Sequence, residues 1–373
     1  MISLVTAHRS LVGLLAAAIL LAGCSVANPK PPNAAAHPAP TESPQPTVPQ
    51  VAKPWQPGMP QLGVNVYWED SKEDDDEVTR RKAERILDYL VSLNVNSVSV
   101  NFPFIMDGIT ASAVKPDPKY TPSAERVKLF LEAAAARKLR TGLRPLLDER
   151  RLLPDWRGEI EPADRDAWFA SYQAFLTPYL NAAQQTGAAE VVLGVELNSI
   201  QGDQRWRSLI NAARKSFTGT ITYSVNFDAY QSGLATPPVD QVGLDMYFKV
   251  RLPDTASVDE LAGAWEWWID EYVGQQASTT VLHEVGIVAQ NGAYRHPAQW
   301  GSTAAPLNLE VQKNWYAAVC RAVERKELAG VYFWNVRIHH NPGKEDPYQA
   351  DRMTFVDRPA AATMRDCYAR LAG

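Results

Sequence analysis

The sequence predicts one (β/α)₈ barrel, the TIM-barrel form of the α/β class, and three observations predict it. Eight short apolar runs alternate with seven amphipathic stretches between residues 62 and 371. Roughly 310 residues follow a Pro-rich N-terminal segment, a length that suits a single large barrel. The strand-like runs also end repeatedly on polar side chains, and a parallel barrel gathers its chemistry at the C-terminal ends of its strands.

The N-terminus stands outside this pattern. Arg9 precedes an apolar run, 11–21, that is too short to span a bilayer comfortably, and Leu21-Ala22-Gly23-Cys24 follows. This ending resembles the bacterial lipobox. The resemblance implies a signal peptide over 1–23, lipidation of Cys24, and an extracytoplasmic protein anchored to the cell membrane. Residues 24–60 are rich in Pro and Ala with few large apolar side chains, so they favour an extended tether without a core. The barrel domain is expected over 61–373.

Composition narrows the function. The formal net charge is −5, and becomes one unit more negative once Arg9 is removed with the signal. This mild acidity gives no support for nucleic-acid binding. Besides Cys24 only Cys320 and Cys367 remain, both in helical segments near the chain's end, and one disulfide between them suits an oxidising compartment. No CxxC and no His/Cys cluster with metal spacing occurs, so neither metal nor cofactor is expected, and a monomer is. A Gly-x-Ser-x-Gly elbow and a Gly-rich phosphate loop are both missing, which argues against serine hydrolases and nucleotide binding.

The predicted strands are 62–67, 95–102, 139–146, 190–196, 220–226, 241–247, 279–284 and 331–335. Each is a short, mostly β-branched or apolar run of strand length. Helical periodicity falls between them at 74–93, 123–137, 163–186, 204–215, 258–273 and 309–325, with 359–371 closing the chain. Only the connection 227–240 lacks a clear helix. The acidic run 69–77 reads as a solvated helix start that complements the helix dipole, not as a calcium loop. Trp265, Trp267 and Trp268 lie inside an amphipathic helix and are expected to pack on the barrel's outside.

Side chains alternate across a strand, so one parity faces the barrel axis. The polar parity ends on Asn101 in the second strand, on Asn226 in the fifth, and on Asp245 and Tyr247 in the sixth. Asn65, Tyr67, Arg144, Glu196, Glu284 and Trp334 fit the same inner set. Burying so many polar groups without purpose would be costly, which marks the mouth as a site. Alternation also places Gly194 inward, leaving space beneath Glu196, and turns His283 outward towards the helices. Tyr332 shares the face of Trp334, and Tyr67 adds aromatic surface for a pyranose. His339 and His340 follow the last strand in a loop that either lines the mouth or is only a connection.

Glu196 and Glu284 are the sharpest feature. Two carboxylates facing each other across one mouth are the working parts of a glycosidase. With Leu62-Gly63-Val64-Asn65, Ile221 to Phe227, Val242 to Phe248, His283-Glu284-Val285-Gly286 and Val331-Tyr332-Phe333-Trp334, the barrel resembles glycoside hydrolase clan A. It is most similar to family 113, a group including β-mannanases. The resemblance covers 62–336, and implies that Glu196 is the acid/base and Glu284 the nucleophile of a retaining hydrolase. It implies a β-linked polysaccharide substrate, β-1,4-mannan or glucomannan first. The wider clan places Asn just before the acid/base where this chain has Val195, which leaves Asn198 and Asn101 as candidates for the sugar 2-hydroxyl. Tyr247 and Arg144 are the inward donors expected to keep Glu284 ionised. Two alternatives stay open: a retaining β-glycosidase of other specificity, and a non-catalytic surface sugar-binding lipoprotein.

Overall fold

A computed structural model describes residues 47–298 and 305–373. The expected signal peptide and Cys24 lie outside the described residues. Eight parallel strands close in chain order into a barrel: β1 (Gln61–Tyr67), β2 (Ser97–Phe104), β3 (Arg140–Leu147), β4 (Glu190–Val195), β5 (Thr220–Asn226), β6 (Gln241–Met246), β7 (Val281–Val285) and β8 (Gly330–Arg337). The expected fold class and strand order are therefore those observed.

Among the described residues, eight α-helices surround it: α1 (Asp76–Ser92), α2 (Ala124–Ala136), α3 (Arg165–Thr186), α4 (Arg205–Ala213), α5 (Phe227–Gln231), α6 (Val258–Trp268), α7 (Leu309–Arg325) and α8 (Pro359–Leu371). Their starts follow from local chemistry. Asp75, Ser123, Asp164, Ser257 and Asn308 each accept a backbone N–H of the first turn, and Ser257 with Glu260 completes a capping box. Asp75 takes the N–H of Val78 at 2.7 Å, which accounts for part of the acidic run as a helix cap. The connection without helical periodicity holds only the five-residue α5, capped by Asn226 at the end of β5.

The helices bury their apolar stripes on the outward strand parity. Trp265 and Trp268 are core residues beside Phe248, whereas Trp267 is 59 % exposed. The predicted tether joins the barrel from Val51 onward. Val51 is buried and donates to the carbonyl of Arg137, and the Trp55 ring lies 5.2 Å from the Arg140 guanidinium at the N-terminal end of β3. An apolar Val and Trp within a Pro-rich stretch can cover the barrel floor, which composition alone hides.

The barrel seam closes on α8. The Tyr368 hydroxyl donates towards the carbonyls of Gly63 on β1 and Val331 on β8, at 2.7 and 3.2 Å. A disulfide, Cys320–Cys367, ties α8 to α7 with a Cα–Cα distance of 6.0 Å.

Candidate active site

The barrel interior is polar from floor to mouth. Near the floor Arg140 pairs with Glu190 at 2.6 Å and donates to the Tyr332 hydroxyl, which in turn donates to Gln61. Tyr332 therefore belongs to the floor and not to a sugar platform, although it shares the parity of Trp334.

Above it, Arg144 organises the centre. This fully buried guanidinium meets Glu284 through Nη1 and Asp245 through Nη2, both at 2.7 Å, and donates to the Asn101 side-chain oxygen at 3.0 Å. Asn101 gives its amide hydrogens to Asn65 Oδ1 and to the Ser99 carbonyl. Asn65 donates to the carbonyl of His283. Ser224 donates to the second oxygen of Asp245 at 2.9 Å. Burial works against the Arg144 charge, but Asp245 and Glu284 outweigh it and keep the guanidinium charged. Asn65, Asn101, Arg144 and Asp245 are thus bonded to one another beneath the mouth. Asn101, proposed from sequence as a sugar ligand, has no amide hydrogen left for a substrate.

Glu284, Tyr247, Glu196, Asn226, Trp334 and Tyr67 form the upper tier, where each side chain keeps some exposure. The Tyr247 hydroxyl donates to Glu284 at 2.6 Å, so this carboxyl has a phenol on one oxygen and a guanidinium on the other. Glu196 has much less. Asn226 donates to its Oε1 at 2.9 Å, and the nearest cation, Arg157, stands 3.7 Å from Oε2. Burial, followed by the charge of Asp245, pushes the Glu196 carboxyl well above its usual range; Arg157 opposes this and Glu284 adds to it. Asp245 is also raised, chiefly by burial, with Arg144 opposing. The Trp334 ring lies 5.8 Å from that of Tyr67 and 5.9 Å from the Arg144 guanidinium, and walls one side of the opening.

Two expectations from strict alternation fail, for one reason. On β4 Val192 pairs with Thr222 but Val195 pairs with Ser224, so the register slips between them. Gly194 consequently backs onto the helix layer, where a Cβ would lie 2.3 Å from the Tyr223 ring. It leaves no space under Glu196. Glu196 reaches the mouth through a left-handed backbone, φ 54°, a conformation costing about 1 kcal/mol or more outside glycine. On β7 Leu282 pairs with Leu244 and Glu284 with Asp245, which makes His283 the extra residue of a bulge. His283 therefore points inward beside Glu284. Its Nδ1 lies 3.1 Å from Ser224 Oγ, and its ring fills the place where a Cβ on Gly243 would stand. Burial lowers its pKa to about 4, so it is a neutral strut of the interior.

The loops carry what alternation could not predict. Asn198 lies just past Glu196 and has a buried side-chain oxygen without a hydrogen-bond partner. Arg157, from the loop after β3, had no periodic signal to reveal it. His340 turns inward, accepting the Arg337 N–H at 3.1 Å, and is buried. It is a loop-fixing residue.

A parallel barrel with an arginine-held carboxylate and a second, cation-poor carboxyl at its mouth has the arrangement that glycoside hydrolysis requires. The chain belongs to glycoside hydrolase family 113, whose model matches residues 70–355. Among solved structures, a family 113 β-1,4-mannanase superposes with a TM-score of 0.71 at 19 % identity, covering 83 % of this chain and 99 % of that one. The family 113 β-mannanase from Alicyclobacillus acidocaldarius gives 0.68 at 19 %, over 84 % and 98 % of the two chains. An endo-1,4-β-mannanase from Rhizomucor miehei gives 0.54 at 11 %, over 87 % and 99 %. None of the curated proteins matches the sequence.

Proposed function

We propose that the protein hydrolyses β-1,4-mannan or glucomannan with retention of configuration, Glu284 serving as nucleophile and Glu196 as acid/base. The observation that carries this reading is the unequal treatment of the two carboxyls. Glu284 accepts from a guanidinium and a phenol, the setting of a carboxylate. Glu196 is buried against like charge with one amide donor, the setting of a carboxyl that keeps its proton.

In the first step the Glu196 proton passes to the glycosidic oxygen as its bond to the anomeric carbon breaks, and Glu284 forms a glycosyl ester. In the second, ionised Glu196 takes a proton from water, which attacks the anomeric carbon and releases Glu284. Asn226 aims Glu196 in both steps. Trp334 and Tyr67 supply a flat apolar wall for the sugar ring, and the unpartnered Asn198 oxygen, placed next to the acid/base, suits the 2-hydroxyl. The mannan preference rests on the family and on the named activities of its solved relatives.

The decisive experiment combines labelling with rescue. A 2-fluoro mannoside should label Glu284 alone, and Glu284→Ala should abolish turnover on every substrate. Glu196→Ala should lose activity most on poor leaving groups and regain it with azide, giving a glycosyl azide of retained configuration. A label elsewhere, or near-normal activity of Glu284→Ala, overturns the assignment. Turnover confined to an unrelated glycan overturns the substrate and spares the mechanism. Lipid attachment at Cys24 and display on the cell membrane complete the proposal; Cys24→Ala should then release the protein from the membrane fraction, and unchanged fractionation would refute the anchor.

A further inference from the structure

Arg157 opens a short turn, Arg157–Glu159, on the loop after β3, and two carboxyls share its guanidinium. Nε donates to Glu149 at 2.8 Å, whereas Nη1 stops 3.7 Å short of Glu196, beyond hydrogen-bond reach. Glu149 lies on the same loop with a third of its side chain exposed, so water can solvate it if the pair loosens. The other groups around Glu196 are carried by strands or strand ends. Asp245 and the Tyr247 hydroxyl come from β6 and its end, Glu284 from β7, Arg144 from β3, and Asn226 from β5, with the Tyr223 hydroxyl behind. Among these charges Arg157 alone belongs to a loop.

We propose that Arg157 is a movable counter-ion for Glu196, held off by Glu149 while Glu196 carries its proton and drawn onto it once the proton has left. The inference rests on the acid/base assignment above. The first step moves charge across the mouth. Glu284 becomes a neutral ester as Glu196 becomes an anion, so one negative charge leaves the Arg144 side and arrives beside Arg157. Arg144 is pinned by Asp245 and Asn101 and cannot follow it. A shift of about 1 Å would bring Arg157 into hydrogen-bond contact with Glu196. The second step returns the charge to Glu284, and Glu149 recovers Arg157. Held permanently on Glu196, the arginine would strip the acid of its proton too early; absent, it would leave the new anion facing Asp245 without a cation.

The test is the alkaline limb of kcat/KM, which follows the ionisation of Glu196 in the free enzyme. Arg157→Gln removes a cation, so the limb should move up by about one pH unit. Glu149→Gln frees Arg157 to settle on Glu196, so the limb should move down by a similar amount. Arg157→Lys should shift it less than the Gln variant does. A packing role would lower activity without displacing the limb in opposite directions. Limbs that stay fixed, or move the same way, overturn the proposal. If Arg157→Gln does not fold, Glu149→Gln, at a side chain one-third exposed, still decides, down for and unmoved against. Azide rescue of Glu196→Ala separates the layers: rescue with fixed limbs sinks this inference alone, and failed rescue sinks the acid/base assignment together with it.

Discussion

At the scale of single residues, the site is a contest between one buried cation and the carboxyls around it. Arg144 faces Asp245 and Glu284 with no exposure worth naming. Removing one partner of a buried pair leaves the other uncompensated, at a cost of about 3–5 kcal/mol. Arg144→Met should therefore lower stability by that order and abolish turnover, read by denaturant unfolding and by initial rates; a variant with wild-type stability would mean water replaces the guanidinium. Glu196 predicts the reverse. Its folded pKa lies above the unfolded value, so its stability contribution is complete below the unfolded pKa and is lost as pH rises through the folded one. Glu196→Gln keeps the shape and removes the buried charge. It should raise Tm by roughly 2 °C above neutral pH, less in acid, while activity falls. Equal or lower Tm at high pH would contradict the electrostatic reading. Alternation placed Arg144, Asn101 and Asp245 inward from sequence, but only their mutual bonds separate interior supports from groups at the opening.

At the scale of elements, two register slips decide which way the chemistry points. Period-two alternation is legible because one face of each strand packs on helices and the other does not. A bulge inserts one residue and reverses that reading with no compositional trace, which is why Gly194 and His283 face opposite to expectation. Gly243 is the matching requirement on β6. A Cβ there would lie 2.1 Å from the His283 ring, too close for the ring to stay in place. Gly243→Ala should thus destabilise the fold by about 1–3 kcal/mol through overpacking. Adding His283→Ala should recover part of that loss, because the two sites are in contact and their effects are not additive. A double variant as unstable as the sum of the singles would show that the ring is not what the methyl meets. The short α5 was equally hidden: residues 227–240 carry no helical stripe because a five-residue turn buries too little to need one.

At the scale of the whole molecule, strand count and order were legible because each βα unit repeats one chemical pattern, apolar strand then amphipathic helix. What closes the circle was less so. The seam between β1 and β8 is held from outside by the Tyr368 hydroxyl, and α8, which carries that tyrosine, is fastened to α7 by Cys320–Cys367. Both cysteines are buried on the outer helical layer, away from the mouth at the strand ends. The bridge closes a 47-residue span of chain, for which loss of unfolded-state entropy predicts about 4 kcal/mol of stabilisation at 25 °C. Cys320→Ser with Cys367→Ser should lower the unfolding free energy by about 2–4 kcal/mol and leave kcat near wild type below the new transition. The contrast locates the bond's role in closure of the barrel and not in the chemistry. Alkylation of the denatured, unreduced protein should label neither thiol. Two labelled thiols would show that the bond is absent; a Tm unchanged in the double variant would show that Tyr368 and apolar packing close the barrel unaided.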